Sequence, residues 1–212
     1  MIRSRYPGYD VMQEADEWDE RTRAIVADRL KSPEPLQFFK PDEAEVLMAA
    51  AQVLLAEDDE WLRRKVVELI DRQFDKGEGE GYRPQTQPKD GDLWRAGLAS
   101  LGADRTGADR PGAHFVGAPP QIQTARITAL QGDDPIFFQA LHKELLSAYC
   151  SLPPVWSFMG YGGPAFPRGY VRIELGARDP WEAKPAATVP ALPPNGPPLP
   201  PGAEQVLGRI EP

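Results

Sequence analysis

The sequence has 212 residues, among them 24 prolines and 19 glycines, and it carries a net charge of −8 at pH 7. Because a chain this acidic lacks the basic surface that binds nucleic-acid phosphates, we expect no nucleic acid among its partners. Its single cysteine cannot form an intramolecular disulfide or a thiolate metal cluster, and the absence of any run of about 20 apolar residues predicts no direct membrane span.

The chain begins with an arm, residues 1–17, in which two tyrosines flank a Pro-Gly pair and no helical period is visible. Residues 18–30 are predicted to form the first helix. Acidic residues at its start suit the positive end of a helix dipole, and apolar residues follow at spacings of four or five. Pro33 and Pro35 would end it, because proline cannot continue a helix.

Two better-marked helices follow. Pro41 suits the first position of a helix and Phe39 is placed as a hydrophobic staple, which predicts a helix over residues 41–56. Asp58 or Asp59 can cap a third helix that runs to residue 74, with apolar residues at three- and four-residue intervals. A glycine-rich run over residues 77–81 then interrupts the pattern.

The middle of the chain is less regular. A short helix is predicted over residues 92–101, where Leu93, Trp94, Leu98 and Leu101 are the apolar positions. Residues 102–120 are rich in glycine, aspartate, arginine and proline, which indicates a loop. An amphipathic segment over residues 121–130 predicts one more short helix.

The last predicted helix has the strongest pattern. Asp134 suits its N-cap and Pro135 its first position, and the helix ends near Cys150. One face carries the widest apolar stripe of the chain, so we expect this helix near the centre of the fold; the stripe consists of Phe138, Leu141, Leu145, Ala148 and Tyr149. The segment beyond it shows no helical period, and residues 170–175 alternate like a short strand.

Proline dominates the C-terminal end, where it occupies eight of the seventeen residues over 185–201. Such a segment favours polyproline II and cannot build a packed core. The sequence therefore predicts an all-α protein: an irregular bundle of about five or six helices with long loops and an extended proline-rich tail. We divide it into an arm (1–17), a single helical domain (18–182) and the tail (183–212).

No catalytic or metal-binding pattern is recognisable. The glycine-rich run over residues 160–164 lacks the neighbours of a phosphate-binding loop. His114 lies in the predicted loop and His142 beside the apolar stripe, where a solvated or core-edge histidine is the simpler interpretation. Cys150 ends a helix, where the dipole disfavours a thiolate, so a buried structural cysteine is expected. Catalytic, metal-binding and cofactor-binding residues are therefore predicted to be absent from this chain.

One segment, residues 156–170, carries many aromatic side chains on a backbone rich in glycine and proline; we call it the aromatic strip. It could present anchors to a partner protein, or its aromatic residues could close this chain's own core. The candidate partner-binding residues are Trp156, Phe158, Tyr161, Gly162, Gly163, Pro164, Phe166, Pro167, Arg168 and Tyr170. Arg168 is expected to donate a charge-assisted hydrogen bond to the partner.

These segments resemble the gluconate 2-dehydrogenase subunit 3 family. The similar stretches run from about Tyr6 to Glu182 and are RYPGYDV, WDERTRAIVADRL, FFKPDEAEVLMAAAQVLL, GYRPQTQP, DLWRAGL and FFQALHKELLSAYCSLPPVWSFMGYGGPAFPRGYVRIELGARDPWE. The last helix with the tryptophan, the Gly-Tyr-Gly-Gly-Pro turn and Pro-Arg-Gly-Tyr that follow is the most specific part.

The resemblance implies a non-catalytic, helical small subunit that accompanies a large flavoprotein of the glucose-methanol-choline type, often with a cytochrome c subunit. FAD and haem c would then be bound by those partners. Many relatives carry a twin-arginine signal, which this sequence lacks. We therefore expect a cytoplasmic protein, or a periplasmic one if a signal-bearing partner carries it across the membrane.

Two other functions remain open at this point. The chain could be a small hydrolase or lyase that uses carboxylates and His142, provided that these groups converge in one pocket. It could also be a structural or adaptor protein unrelated to redox chemistry that binds through the aromatic strip and the proline-rich tail.

Overall fold

The computed structural model describes residues 4–77, 88–103, 114–169, 179 and 181–186. Within these residues the protein is all-α, as predicted, with seven α-helices, one 3-10 helix and no strand. The 3-10 helix spans Val11–Glu17, and the α-helices are α1 Glu20–Asp28, α2 Pro41–Leu55, α3 Glu60–Asp75, α4 Asp90–Gly102, α5 Pro120–Asp133, α6 Pro135–Cys150 and α7 Pro153–Met159.

The helix starts follow from local sequence. Side chains of Asp19, Asp59 and Asp134 accept hydrogen bonds from backbone N–H groups in the first turns of α1, α3 and α6. Helix α2 has a proline at its first position. Its start is also stabilised by a hydrogen bond of 2.9 Å from the Lys40 N–H to the Glu43 carboxylate. These contacts satisfy N–H groups that have no partner inside the helix, which is why the predicted starts lie within two residues of the observed ones.

The bundle formed by α2 to α6 contains the main core, and α6 lies at its centre in contact with α2, α3, α4, α5 and α7. The predicted apolar positions of α4 (Leu93, Trp94, Leu98 and Leu101) are all buried there. Trp94 packs edge-on against Phe137 of α6, with ring centroids 5.8 Å apart. The expectation that the helix over residues 135–150 would be central is therefore confirmed.

The apolar stripe of α6 was predicted correctly at Leu141 and Leu145 but wrongly at Phe138, whose neighbour Phe137 takes the buried position. Phe137 is fully buried, together with Leu141 and Leu145, whereas Phe138 and Tyr149 are only partly buried. Tyr149 donates a hydrogen bond of 2.6 Å to the Glu57 carboxylate, and burial, followed by this bond, raises the pKa of the phenol. The helix is thus rotated so that Phe137 faces the core.

The burial of Cys150 was also predicted wrongly, because its side chain is exposed. Nine residues separate Cys150 from the buried Leu141, and at 100° per residue this places the two side chains on opposite sides of α6. The helix dipole affects the pKa of a thiol at the end of a helix but does not determine which face of the helix the thiol occupies. The position of Cys150 relative to Leu141 around the helix axis does determine it.

Two short helices escaped prediction. The arm was expected to be without helix but contains the 3-10 helix Val11–Glu17, and the segment after α6 contains α7, Pro153–Met159. Each is seven residues long, which is too short for a hydrophobic period to repeat. The predicted strand over residues 170–175 lies outside the described residues, as does most of the predicted loop over residues 102–120.

Hydrogen bonds attach the segment between α1 and α2 to α3. The buried Asp71 carboxylate accepts three backbone N–H bonds of 2.7–2.9 Å, from Gln37, Phe38 and Phe39. Such charge-assisted bonds are roughly twice as strong as neutral ones. They fix the segment between α1 and α2 against the bundle.

An ionic ladder continues this attachment along α3. The fully buried Lys65 ammonium lies 2.7 Å from Glu68, and Arg72 bonds both Glu68 and, at 2.8 Å, Asp28 of α1. Because removal of one member leaves a buried charge without its counterion, each member depends on the next. The ladder thereby joins α1 to the bundle.

Candidate partner-binding surface

The aromatic strip begins in α7, where Trp156 faces inward. Trp156 is 5% exposed and packs with Val11, Trp18 and Val26 in a second, smaller core, which we call the terminal cluster. Its indole N–H donates to the Cys150 carbonyl at 2.5 Å. A tryptophan with an apolar environment and a satisfied N–H has the features of a core residue. Trp156 thus closes this chain's own core.

The backbone after α7 is covered by aromatic rings from both ends of the described chain. The ring of Trp181 lies directly against Gly162, and that of Trp18 against Gly163, which has a φ of +78°. A Cβ at residue 163 would come 2.5 Å from the Trp18 ring, so only glycine allows both this backbone conformation and this approach. Gly162 and Gly163 therefore serve internal packing.

Arg168 is occupied within the chain. Its side chain is 9% exposed, and its guanidinium donates to the Glu14 carboxylate at 3.2 Å and to the Gly162 carbonyl at 2.6 Å. It also stacks over the Trp181 ring, with 3.8 Å between Cζ and the ring centroid. The expected bond from Arg168 to a partner therefore has a competitor inside this chain.

Four large apolar side chains of the strip point outward, and we call them the aromatic face. Phe158 is 42% exposed, Met159 45%, Tyr161 41% and Phe166 68%. Of the other predicted residues, Pro167 is exposed and Pro164 half-buried, whereas Tyr170 lies outside the described residues. The strip thus combines both interpretations of its sequence, with inward residues that close the core and outward residues that remain in water.

The N-terminal arm supports the aromatic face from behind. Ser4 Oγ donates to the Phe158 carbonyl at 2.7 Å, and the Val11 N–H donates to Ser157 Oγ at 3.1 Å. The arm is also bonded to the other end of the described chain, because the Ala186 N–H donates to the Arg5 carbonyl at 2.8 Å. Sequence reasoning missed Ser4, Glu14 and Trp181 as supports, because their contacts to the strip span 13 to 154 residues of chain. The division at residues 17 and 183 remains a prediction.

The groups considered for catalysis are scattered. His114 and His142 are both exposed, and His142 stacks on Phe138 with ring centroids 6.0 Å apart. In the described part of the chain no group of three or more His, Cys, Asp or Glu residues is placed to hold a metal ion. None of the helices there is both long and apolar enough to cross a membrane.

A groove of about 820 Å³ lies elsewhere, between α2, α3, residues 33–36 and residues 116–120. Its lining includes apolar Met48 and Val67 and the pair formed by Arg64 and Glu60, whose charged atoms lie 2.8 Å apart. Among the described residues, its lining includes neither histidine and no cysteine, serine or tyrosine. The described lining therefore does not bring together the nucleophile and base typical of a hydrolase.

Comparison with known proteins identified a matching family. The model of a protein family described as gluconate 2-dehydrogenase subunit 3 matches residues 41–163, more than half of the chain. This range begins with α2 and ends inside the aromatic strip, at the buried Gly163. Searches of curated proteins and of solved structures gave no match to this sequence. The chain therefore belongs to the gluconate 2-dehydrogenase subunit 3 family, and this membership implies a small subunit of a dehydrogenase complex.

Proposed function

We propose that this chain is a non-catalytic accessory subunit that binds a large flavoprotein of the glucose-methanol-choline type and stabilises, matures or escorts it. The partner then holds the FAD and oxidises a sugar, sugar acid or polyol. A cytochrome c subunit would supply haem where the complex contains one. Family membership supports the existence of a complex.

The observation that carries this proposal is the aromatic face. Phe158, Met159, Tyr161 and Phe166 are each more than two-fifths exposed and lie within nine residues of one another. Exposed large apolar side chains that are grouped in this way are typical of a protein interaction site. Aromatic residues and methionine are also enriched at the cores of protein interfaces. A protein partner therefore suits this surface better than a small hydrophilic ligand does.

Substitution of the face tests the proposal. The large subunit is identified by co-purification from the native host, and its affinity is measured for Phe158→Ala, Tyr161→Ala and Phe166→Ala. Truncation of an aromatic anchor at an interface centre costs about 2 kcal/mol or more, roughly a 30-fold loss of affinity. Because Phe158 and Phe166 are exposed, their substitution should change the thermal unfolding midpoint by no more than about two degrees. Tyr161→Ala should lower it somewhat more, because the Tyr161 ring packs edge-on against Trp156 with ring centroids 5.5 Å apart.

Ile136→Ala is the matched control, because Ile136 is an equally exposed apolar residue at the start of α6 and away from the strip. It should leave binding unchanged. Full binding by the triple variant at residues 158, 161 and 166 would place the interface elsewhere. Dehydrogenase turnover or a flavin spectrum from the isolated chain would contradict the accessory role itself.

A further inference from the structure

Building on the proposed function, we propose that Arg168 is a positioning residue for the aromatic face, and that through Glu14 it makes the N-terminal arm part of the partner-binding structure. Arg168 belongs to the strip, Glu14 to the 3-10 helix of the arm, and the two side chains are joined at 3.2 Å. The interaction closes a loop of more than 150 residues. It therefore connects one end of the described chain to the other.

The burial of Arg168 separates positioning from direct contact. With 9% of its side chain exposed, the guanidinium has little surface to offer a partner, while Phe166, two residues earlier, is 68% exposed. The guanidinium bonds the Gly162 carbonyl and the Glu14 carboxylate and also covers Trp181. These three contacts are all made within this chain, so the guanidinium can support the strip without touching a partner.

The strip gains from such a contact because its backbone beyond α7 is not held by a repeating helical pattern of hydrogen bonds. Residues 161–165 are non-helical, and the bonds that fix this stretch include Tyr161 N–H to the Trp156 carbonyl at 2.9 Å and the bond that Gly162 accepts from Arg168. A segment that is ordered before binding loses less conformational entropy when it binds. Arg168 therefore contributes to affinity by holding Tyr161 and Phe166 in place in the free protein.

The chemistry of the site favours arginine over lysine. The planar guanidinium of Arg168 donates hydrogen bonds to two acceptors while its flat face stacks on the Trp181 indole. A lysine ammonium has no such plane, so it could not do both. Arg168→Lys retains the charge but loses one of the two bonds or the stacking. It should therefore behave more like Arg168→Ala than like the unsubstituted protein.

The test uses Arg168→Ala, Arg168→Lys, Glu14→Gln and the double variant Glu14→Gln with Arg168→Ala. Affinity for the large subunit is measured together with amide hydrogen exchange over residues 4–18 and 156–169 of the free chain. Arg64→Ala is the control, because Arg64 also pairs with a glutamate, at 2.8 Å, but on the exposed surface of α3. Arg168→Ala and Glu14→Gln should each weaken binding about tenfold, since bonds to charged groups are the stronger kind.

The double variant should bind no more weakly than Arg168→Ala alone, because both single changes break the same link. Faster exchange is expected in the arm and in the strip, with no change over α2 to α6. If Arg168→Ala weakens binding while Glu14→Gln does not, and exchange stays slow, Arg168 contacts the partner directly and the inference is wrong. Equal binding by all variants overturns the inference but leaves the proposed function intact. If the unsubstituted chain binds no flavoprotein, both are overturned.

Discussion

The bundle and the terminal cluster are stabilised in different ways. The bundle core contains twenty buried apolar residues among those described, from the six helices α2 to α7 and the segments next to them, whereas the terminal cluster contains four. The region around the terminal cluster is stabilised instead by individual contacts, namely a salt bridge, aromatic rings that pack on glycine backbone, and hydrogen bonds from the arm. Apolar burial is thus concentrated in one region, and the surface proposed for binding lies in the other.

This contrast predicts where the chain opens first. Regions with few buried apolar contacts tend to unfold locally at lower free energy than the global transition, and binding elements are often drawn from them. Substitutions in the bundle should therefore change global stability, and substitutions around the terminal cluster should mainly change local order. The following predictions test this difference, beginning with the largest effect.

Phe137→Ala should destabilise the whole protein. Phe137 of α6 is fully buried against α4. Truncation of a buried phenylalanine leaves a cavity, which lowers the free energy of unfolding by about 3–5 kcal/mol. Urea unfolding followed by circular dichroism measures the loss. Ile136→Ala, the exposed neighbour, should change stability by less than about 0.5 kcal/mol. A loss below about 1 kcal/mol for Phe137→Ala would show that the bundle is not the stabilising region.

Gly163→Ala should have an intermediate effect that stays local. Gly163 and Gly117 share a φ of +78°, but a Cβ at residue 117 meets nothing within 4 Å, whereas one at residue 163 meets Trp18 and Val11. Gly117→Ala should therefore cost about 1 kcal/mol for its backbone conformation alone. Gly163→Ala should cost about 1–2 kcal/mol more and also speed hydrogen exchange in the arm. Equal effects in the two variants would rule out close packing of Trp18 on the strip.

The smallest effect concerns Asp28, which links α1 to the bundle. Hydrogen bonds from Lys31 and then Arg72 lower the pKa of Asp28 to about 2 from 3.8. Because the folded-state pKa is depressed, the carboxylate stabilises the fold at pH values above about 4, and this contribution disappears as the pH falls from 4 to 2. Since the side chain is 38% exposed, solvent screening limits the contribution to about 1 kcal/mol.

Asp28→Asn should accordingly lower stability at pH 7 and have almost no effect at pH 2. Urea unfolding of both proteins at pH 7, 4, 3 and 2 measures the difference. Asp16→Asn provides the control, because Asp16 is almost fully exposed and lies 3.8 Å from its partner Arg23. A pH-independent difference for Asp28→Asn would mean that packing, and not charge, accounts for its effect.

The fold was predictable wherever a helix was long enough to repeat its pattern. Helices α2, α3 and α6 have 15 or 16 residues, about four turns, so apolar spacing and capping residues located them closely. The 3-10 helix and α7 have only about two turns each and depend on contacts to each other, such as that from Val11 to Ser157. Local sequence does not contain those contacts, so neither element could be recognised.

The rotation of α6 shows a second limit. Phe137 and Phe138 are adjacent and equally apolar, and either could have faced inward. Gly97 of α4 decides between them, because its missing side chain leaves the space that the Phe137 ring fills. The aromatic strip posed the same problem, because Trp156 and Tyr161 are both large aromatic residues and the local sequence does not show which one is buried. Trp156 is buried because it packs against Val11 and Trp18, whereas Tyr161 remains 41% exposed. In both places the deciding atom belongs to a distant part of the chain.

Cys150 makes this protein convenient for spectroscopy. It is the single cysteine of the sequence, its side chain is exposed, and its own carbonyl accepts the indole N–H of Trp156. A thiol-reactive fluorophore or spin label would attach there without any engineered cysteine, at the junction between the bundle and the terminal cluster. Its signal would report, in the unmodified sequence, how often Trp156 leaves its place and whether a bound flavoprotein holds it there.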